Sequence, residues 1–151
     1  MKKGIRMMKK IESVSHEIVD LLCLTTSRNR VEKELEKYLN QAVRGLYLNY
    51  QGHELVGGIG IEKQQGDIVI AHIGVLEPYR HQKIGSSMID YVVKKYRPAV
   101  VSAETDAEGV GFYQRYGFEI QSLGEKYPGV ERFNCVLDVA LKSGLNEQVY
   151  S

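Results

Sequence analysis

The spacing of apolar positions changes along the chain, and each change marks an element. Val14, Ile18, Leu21, Leu22 and Thr25 recur at helical intervals, with Ser13 or Ser15 standing where an N-cap belongs. Residues 25–28 break that rhythm. Val31, Leu35, Tyr38, Leu39 and Ala42 then share one face of a second helix, and Asn29 with Glu32 has the spacing of a capping box. Strand character follows. Leu46, Leu48 and Tyr50 alternate with Tyr47 and Asn49, a turn falls around Gln51-Gly52-His53, and residues 55–61 form the hairpin partner. Gly57, Gly58 and Gly60 in that partner predict a bulge or a close approach of another backbone.

Residues 68–76 (IVIAHIGVL) are almost wholly apolar, the pattern of a strand covered on both faces in the middle of a sheet. A polar loop, 77–83, leads into a helix with Ile84, Met88, Val92 and Tyr96 at steps of four. That helix ends by Arg97, because Pro98 disfavours helical geometry in the residue before it. Residues 99–103 form another buried strand. Strand, helix and strand at this spacing make a βαβ unit with parallel strands and a right-handed crossover. Residues 109–116 read as a short helix stopped by Gly117. Residues 118–123 and 132–139 read as two closing strands, the second with Phe133, Cys135, Leu137 and Val139 on one face, and 124–131 as a long turn or part of a substrate lid in which Tyr127 and Glu131 stand out. The sum is an α/β (α+β) chain: a mixed, mostly antiparallel sheet of six or seven strands with one central parallel pair.

Length and charge narrow the functional classes. With 151 residues, one domain with a real core is expected. The net charge of +1 lacks the basic stripe of a general nucleic-acid binder. The one basic cluster, Lys2, Lys3, Arg6, Lys9 and Lys10, reads as a solvated, partly flexible terminus over residues 1–10. No segment has the apolar length of a membrane span or a signal peptide, and Cys23 and Cys135 have no metal-binding or redox spacing. A cytoplasmic, reducing compartment is the expectation. No metal site is expected: His16-Glu17 and His53-Glu54 begin like HExxH, but Asp20 and Gly57 occupy the last position.

Two segments carry candidate chemistry. The first runs from Arg80 through His81, Gln82, Lys83, Ile84 and Gly85 to Ser86, where a helix starts directly after the central strand. The first turn of a helix offers unpaired N–H groups and the positive end of the dipole, enough to hold a pyrophosphate on backbone donors. Gly85 clears space for phosphate oxygens, Ser86 and Ser87 would add hydroxyl donors, and Arg80 a charge-assisted bond. The alternative is a helix start that merely packs Gly85 on the sheet. The second segment is Asp106 to Phe118, in which Tyr113 lies on a short helix after the second parallel strand. A phenol there can give a proton to a leaving thiolate, or it can simply pack.

Together the two segments resemble the GNAT superfamily of acetyl-CoA-dependent N-acetyltransferases. That family's cofactor signature, Gln or Arg, two residues, Gly, one residue, then Gly or Ala, lies on Arg80 to Gly85, and its later signature on Asp106, Phe112-Tyr113 and Gly117-Phe118. The resemblance spans residues 46–137. It implies a single acetyltransferase domain over 1–151, helices on both faces of the sheet, and parallel strands that splay to admit pantetheine, which would pair with backbone at Ile73 and Val75. The pyrophosphate of acetyl-CoA would rest on Arg80 to Ser86. The substrate amine, on a small molecule or a peptide, would attack the thioester directly in a ternary complex. Tyr113 matches the position of the family's general acid, and Asp106 falls where an Asn often contacts the cofactor. A homodimer is implied by family habit alone.

Two departures stand out. Lys83 takes the place of the first family glycine. Positive φ there would strain a lysine; the reading adopted is ordinary helical geometry, which keeps the N–H and adds an ammonium beside phosphate. Asp106 lacks the amide donor of Asn. The general base is open: His72 in the central strand has a suitable intrinsic pKa but is as easily a hydrogen-bonded core residue, Glu104 ends the second parallel strand, and Glu62 is a poorer third candidate. A base is not strictly required where proximity supplies much of the rate. Two other readings stay open: an acyl-CoA-binding sensor of the same fold without turnover, and an interaction role for the sheet edge and the N-terminal helices.

Overall fold

The computed structural model describes residues 6–141. They fall into two compact units, one holding the chain up to Glu62 together with Ala71–Tyr91, the other Lys63–Ile70 together with the chain from Val92 onward. The elements in order are β1 (Arg6–Lys10), α1 (His16–Cys23), α2 (Arg28–Asn40), β2 (Arg44–Gln51), β3 (Glu54–Gln64), β4 (Asp67–Val75), a 3-10 turn (Glu77–Tyr79), α3 (Ile84–Tyr96), β5 (Val100–Asp106), α4 (Val110–Tyr116), β6 (Glu119–Tyr127) and β7 (Val130–Asp138). The sheet among the described residues has seven strands in the order β1-β2-β3-β4-β5-β7-β6, with β4 and β5 parallel and the pairs β1·β2, β2·β3, β5·β7 and β6·β7 antiparallel. No helix among those residues is long and apolar enough to cross a membrane.

In the first unit the helical period translates into burial at most of the expected positions, though Val14, Leu39 and Ala42 are exposed. Ser15 caps α1, its hydroxyl accepting from the Ile18 N–H at 3.4 Å, and Ile18, Leu21 and Leu22 are buried. They join Val31, Leu35 and Tyr38 of α2 with Ile11, Leu46, Leu48 and Leu55 in one apolar cluster. Two expectations need correction here. Helix α2 starts at Arg28 with Ser27 as N-cap, so Asn29 lies within its first turn and no Asn29 capping box forms; the Ser27 hydroxyl donates to the Asn29 carboxamide oxygen at 2.7 Å. The basic terminus is also not loose over Arg6–Lys10, which pair with β2 from Arg6↔Gln51 to Lys10↔Tyr47; charged side chains suit a strand at the sheet edge. Tyr47 and Asn49 are as buried as Leu46 and Leu48, so β2 is covered on both faces despite its alternating sequence.

The expected bulge and close approaches are present. The β2·β3 register shifts at Asn49/Tyr50. A Cβ on Gly57 would lie 2.8 Å from the Gly74 carbonyl oxygen, and one on Gly60 would collide with the Tyr38 hydroxyl. Strand β4 is central in the sheet order, but Ala71 is exposed and Ile73, Gly74 and Val75 are half-buried.

In the second unit the parallel ladder joins Ile68–Ile70 to Val101–Ala103, after which β4 continues to Val75 and β5 to Asp106. Gly117, at φ 122°, ends α4. The long turn expected at 124–131 is instead strand on both sides of a two-residue turn. Tyr127 pairs with Val130 across Pro128-Gly129, and Gly129 has φ 81°, the Pro-Gly arrangement of a type II turn.

Candidate functional site

Strand β4 delivers the chain to the turn singled out from sequence. Leu76 is tied back by its N–H to the Val56 carbonyl at 2.9 Å, and the Arg80 Nε–H donates to the Val75 carbonyl at 3.0 Å. The backbone then changes hand twice: His81 has φ 65° and Lys83 φ 61°, with Gln82 between them on the ordinary side. Residues alternating in hand turn successive N–H groups toward one concavity, the arrangement that cups phosphate oxygens. The first bond within α3 runs from the Ser87 N–H to the Lys83 carbonyl at 3.0 Å, so the amides of Ile84, Gly85 and Ser86 precede the helical ladder. Ser86 is half-buried, whereas the Ser87 hydroxyl donates to the Ile84 carbonyl at 2.7 Å and is occupied. Gln82 accepts from Arg6 Nη2 at 3.0 Å, which anchors the loop to β1.

Lys83 is therefore not in the helical conformation assigned to it from sequence. It is left-handed, the glycine-like choice of the two considered. Its Cβ then crowds the following carbonyl at a cost of about 1–2 kcal/mol. Its N–H remains available, and its side chain is exposed.

The candidate bases sit in different surroundings. His72 is buried in β4, with Nδ1 2.5 Å from the Tyr38 hydroxyl and Nε2 3.5 Å from Glu34 Oε1. Burial lowers the His72 pKa below its ordinary value. Glu34 pulls it upward and Arg44 and Lys37 push it further down, so the ring is neutral at pH 7. Tyr38 is pushed up to about 12, chiefly by burial, and keeps its proton. Glu34 also binds Lys37 at 2.9 Å and Arg44 at 3.2 Å, and the Arg44 guanidinium lies 4.6 Å over the Tyr38 ring. Burial alone would raise the Glu34 pKa, but its bond to Lys37 and the charges of Arg44, His72 and Lys37 outweigh that, and it stays ionised. His72, Glu34 and Lys37 open onto a cavity of about 640 Å³ that Thr25, Arg30 and Lys33 also line, a volume in the range of small-molecule sites.

Sequence reasoning found His72 but missed Glu34, Tyr38 and Arg44. Their apolar or charged periodicity reads as an ordinary amphipathic helix and strand, and only Gly60, cleared for the Tyr38 hydroxyl, hints at the cluster.

Glu104 is exposed at the end of β5 and paired with Arg132 of β7 at 3.2 Å. The Asp106 carboxylate accepts from the N–H groups of Glu108 and Gly109 at 3.0 and 3.1 Å, fixing the entry to α4. Tyr113 is buried, edge-on to Phe112 and Phe118 at 5.1 and 5.2 Å, and burial followed by the neighbouring Cys135 raises its pKa above the ordinary phenol value.

These elements match a known domain. The family model for the acetyltransferase (GNAT) domain covers residues 13–131. The chain belongs to the GNAT acetyltransferase family. Solved structures similar to this GNAT chain include a Bacillus subtilis acetyltransferase in complex with CoA, at 20% identity over 89% of this chain and 99% of the other with a TM-score of 0.73. Another is an aminoglycoside 6'-N-acetyltransferase complexed with coenzyme A, at 18% identity over 88% and 97% with a TM-score of 0.74. A third is the ribosomal-protein-S18-alanine N-acetyltransferase from Escherichia coli, at 12% identity over 89% and 94% with a TM-score of 0.67. At these identities the likeness is one of fold.

Two measurements check this geometry. Lys83→Gly, which relieves a left-handed residue, should raise stability in urea denaturation by about 0.5–1 kcal/mol, and Lys83→Val should lower it by a similar amount. Gly60→Ala, which drives a methyl into Tyr38, should cost about 1–3 kcal/mol in the same assay. Unchanged stability in Gly60→Ala would refute the close approach, and no gain in Lys83→Gly would refute the left-handed strain.

Proposed function

We propose that this GNAT domain transfers the acetyl group of acetyl-CoA to a primary amine by direct attack in a ternary complex. The observation that carries the reading is the turn from β4 into α3. Its left-handed His81 and Lys83 and the amides of Ile84, Gly85 and Ser86, which lie ahead of the helical ladder, offer backbone donors to a diphosphate. Arg80 and the exposed Lys83 ammonium add positive charge beside it, and the half-buried backbone of Ile73 and Val75 offers an edge on which pantetheine pairs.

Bound acetyl-CoA supplies the thioester carbonyl that the acceptor nitrogen attacks, the amide C–N bond forming as the C–S bond breaks. The chain's own groups move the protons. His72, neutral at pH 7, takes the ammonium proton, with the Tyr38 hydroxyl at hydrogen-bond distance from its Nδ1, and Glu34 stabilises the imidazolium that results. Tyr113 supplies the proton that the departing thiolate takes up; its raised pKa keeps it protonated through the neutral range. Glu104, engaged by Arg132, stands as the competing base, and Asp106 acts on the backbone of α4.

Calorimetric titration with acetyl-CoA, followed by thiol release across a panel of primary amines, tests the reading; binding without turnover would leave an acyl-CoA sensor. Tyr113→Phe should lower kcat by about 10²-fold or more with little change in acetyl-CoA affinity, and equal activity would retire the phenol as acid. The base must be neutral to work and its pKa lies below 6.5. In wild type kcat should therefore be flat near pH 7 and fall as pH drops through a value below 6.5. His72→Gln should lose that acid limb along with about 10²–10⁴-fold in kcat. An unchanged limb in this variant would move the base elsewhere.

A further inference from the structure

We propose that the cavity beside α2 is an acceptor subsite for a small amine that also carries a carboxylate or phosphate; the amine half of this inference rests on the acetyl-transfer reading above. The wall formed by α2 is a helical stripe. Arg30, Lys33, Glu34 and Lys37 recur at intervals of three and four residues and all line the same cavity of about 640 Å³. Three cations therefore face one carboxylate. That carboxylate is already engaged, by Lys37 at 2.9 Å and by Arg44 at 3.2 Å. Among the described residues neither Arg30 nor Lys33 has an ion-pair partner. The excess positive charge of the pocket is thus concentrated at the Arg30–Lys33 end.

The charge has direction. Glu34 and His72, the two groups suited to an ammonium about to lose its proton, lie at one place. Arg30 is about one helical turn before Glu34, about 6 Å along the axis. An acceptor with its nitrogen beside Glu34 and His72 and its anionic group a few bonds away sets that anion against Arg30 and Lys33. A polyamine of the same length would set its second ammonium against Arg30 and Lys33, where like charges repel. The subsite selects a short zwitterion over a neutral amine and a neutral amine over a dication. The guanidinium and ammonium bind carboxylate and phosphate by the same charge-assisted bonds.

The experiment compares matched probes at low salt. O-phosphoethanolamine is set against ethanolamine, β-alanine against propylamine, and spermidine serves as the polycation, with thiol release giving kcat/KM for each. The anionic member of each pair should be favoured at least tenfold, the two pairs telling phosphate from carboxylate. The double variant Arg30→Glu, Lys33→Glu, both sites exposed on α2, should erase or invert the preference while retaining the wild-type Tm within a few degrees. A second arm needs no turnover: calorimetry of O-phosphoethanolamine and ethanolamine with the cofactor-free protein, where the phosphorylated member should bind more tightly and lose at least tenfold in the double variant. Acetylation of neutral or polycationic amines in preference to anionic ones, or a preference unmoved by charge reversal, overturns the subsite and leaves acetyl transfer standing. Charge-reversible binding of the phosphorylated amine with no acetylation of any probe sustains the subsite and sinks the acetyl-transfer reading instead.

Discussion

Four polar side chains, three buried and Glu34 half-buried, set the terms for the first unit. Glu34 and Tyr38 come from adjacent turns of α2, Arg44 from β2 and His72 from β4, and each reaches at least one of the others. A buried charge or phenol without a partner costs far more than a satisfied one contributes. The cluster therefore tolerates only the arrangement in which all four meet, and that arrangement fixes the distance of α2 from β2 and β4. Gly60 belongs to the same constraint, since the Tyr38 hydroxyl occupies the space its side chain would take. With α2 held this way, its next row of residues, Arg30, Lys33 and Lys37, has no choice but to border the cavity that His72 opens into.

The phosphate-cupping turn works by a different means. Its donors are backbone N–H groups, and their direction is set by the hand of His81 and Lys83 and by the start of α3. Side chains enter only secondarily. This is how a lysine stands at a left-handed position: the strain falls on stability, by roughly 1–2 kcal/mol, while its backbone N–H keeps the direction a glycine's would have. Arg80 and Gln82 also hold the loop itself, one clasping the Val75 carbonyl and the other held by Arg6.

Element type and order were legible because they rest on local patterns. The period-four row of Ile84, Met88 and Val92 is buried as its spacing demands, and the strand–turn–helix at 68–96 is where the apolar run and Pro98 put it. What failed rests on longer-range terms. Arg6–Lys10 becomes a strand because β2 offers it an edge, which no local composition reveals. The stretch 124–131 looks like a turn because it is polar, but its polarity reflects exposure of nearly every residue in β6, not an absence of pairing. Lys83 was misassigned because hand is a property of the chain on either side, and a lysine carries no mark of it. The candidate site shows the same division. Tyr113 and the Arg80–Ser86 turn stand out as candidates by spacing, whereas Glu34, Tyr38 and Arg44 become a cluster only when three elements meet.

Recognition is thus divided between two physical sources that respond differently to sequence change. A helix start and a pair of left-handed residues are geometric, so most of their side chains can be replaced without moving the N–H groups. A fold shared at 12–20% identity is compatible with that kind of site surviving intact. The cavity beside α2 has no such protection: its character is the sum of four charges on one helical stripe, and exchange of Arg30 or Lys33 for an acid would reverse the field at that end without disturbing the buried cluster beneath it. On the proposed reading, donor binding follows from the fold, and acceptor choice follows from a few exposed residues mounted on it. That is why backbone geometry argues for the first and only the charges lining the pocket argue for the second.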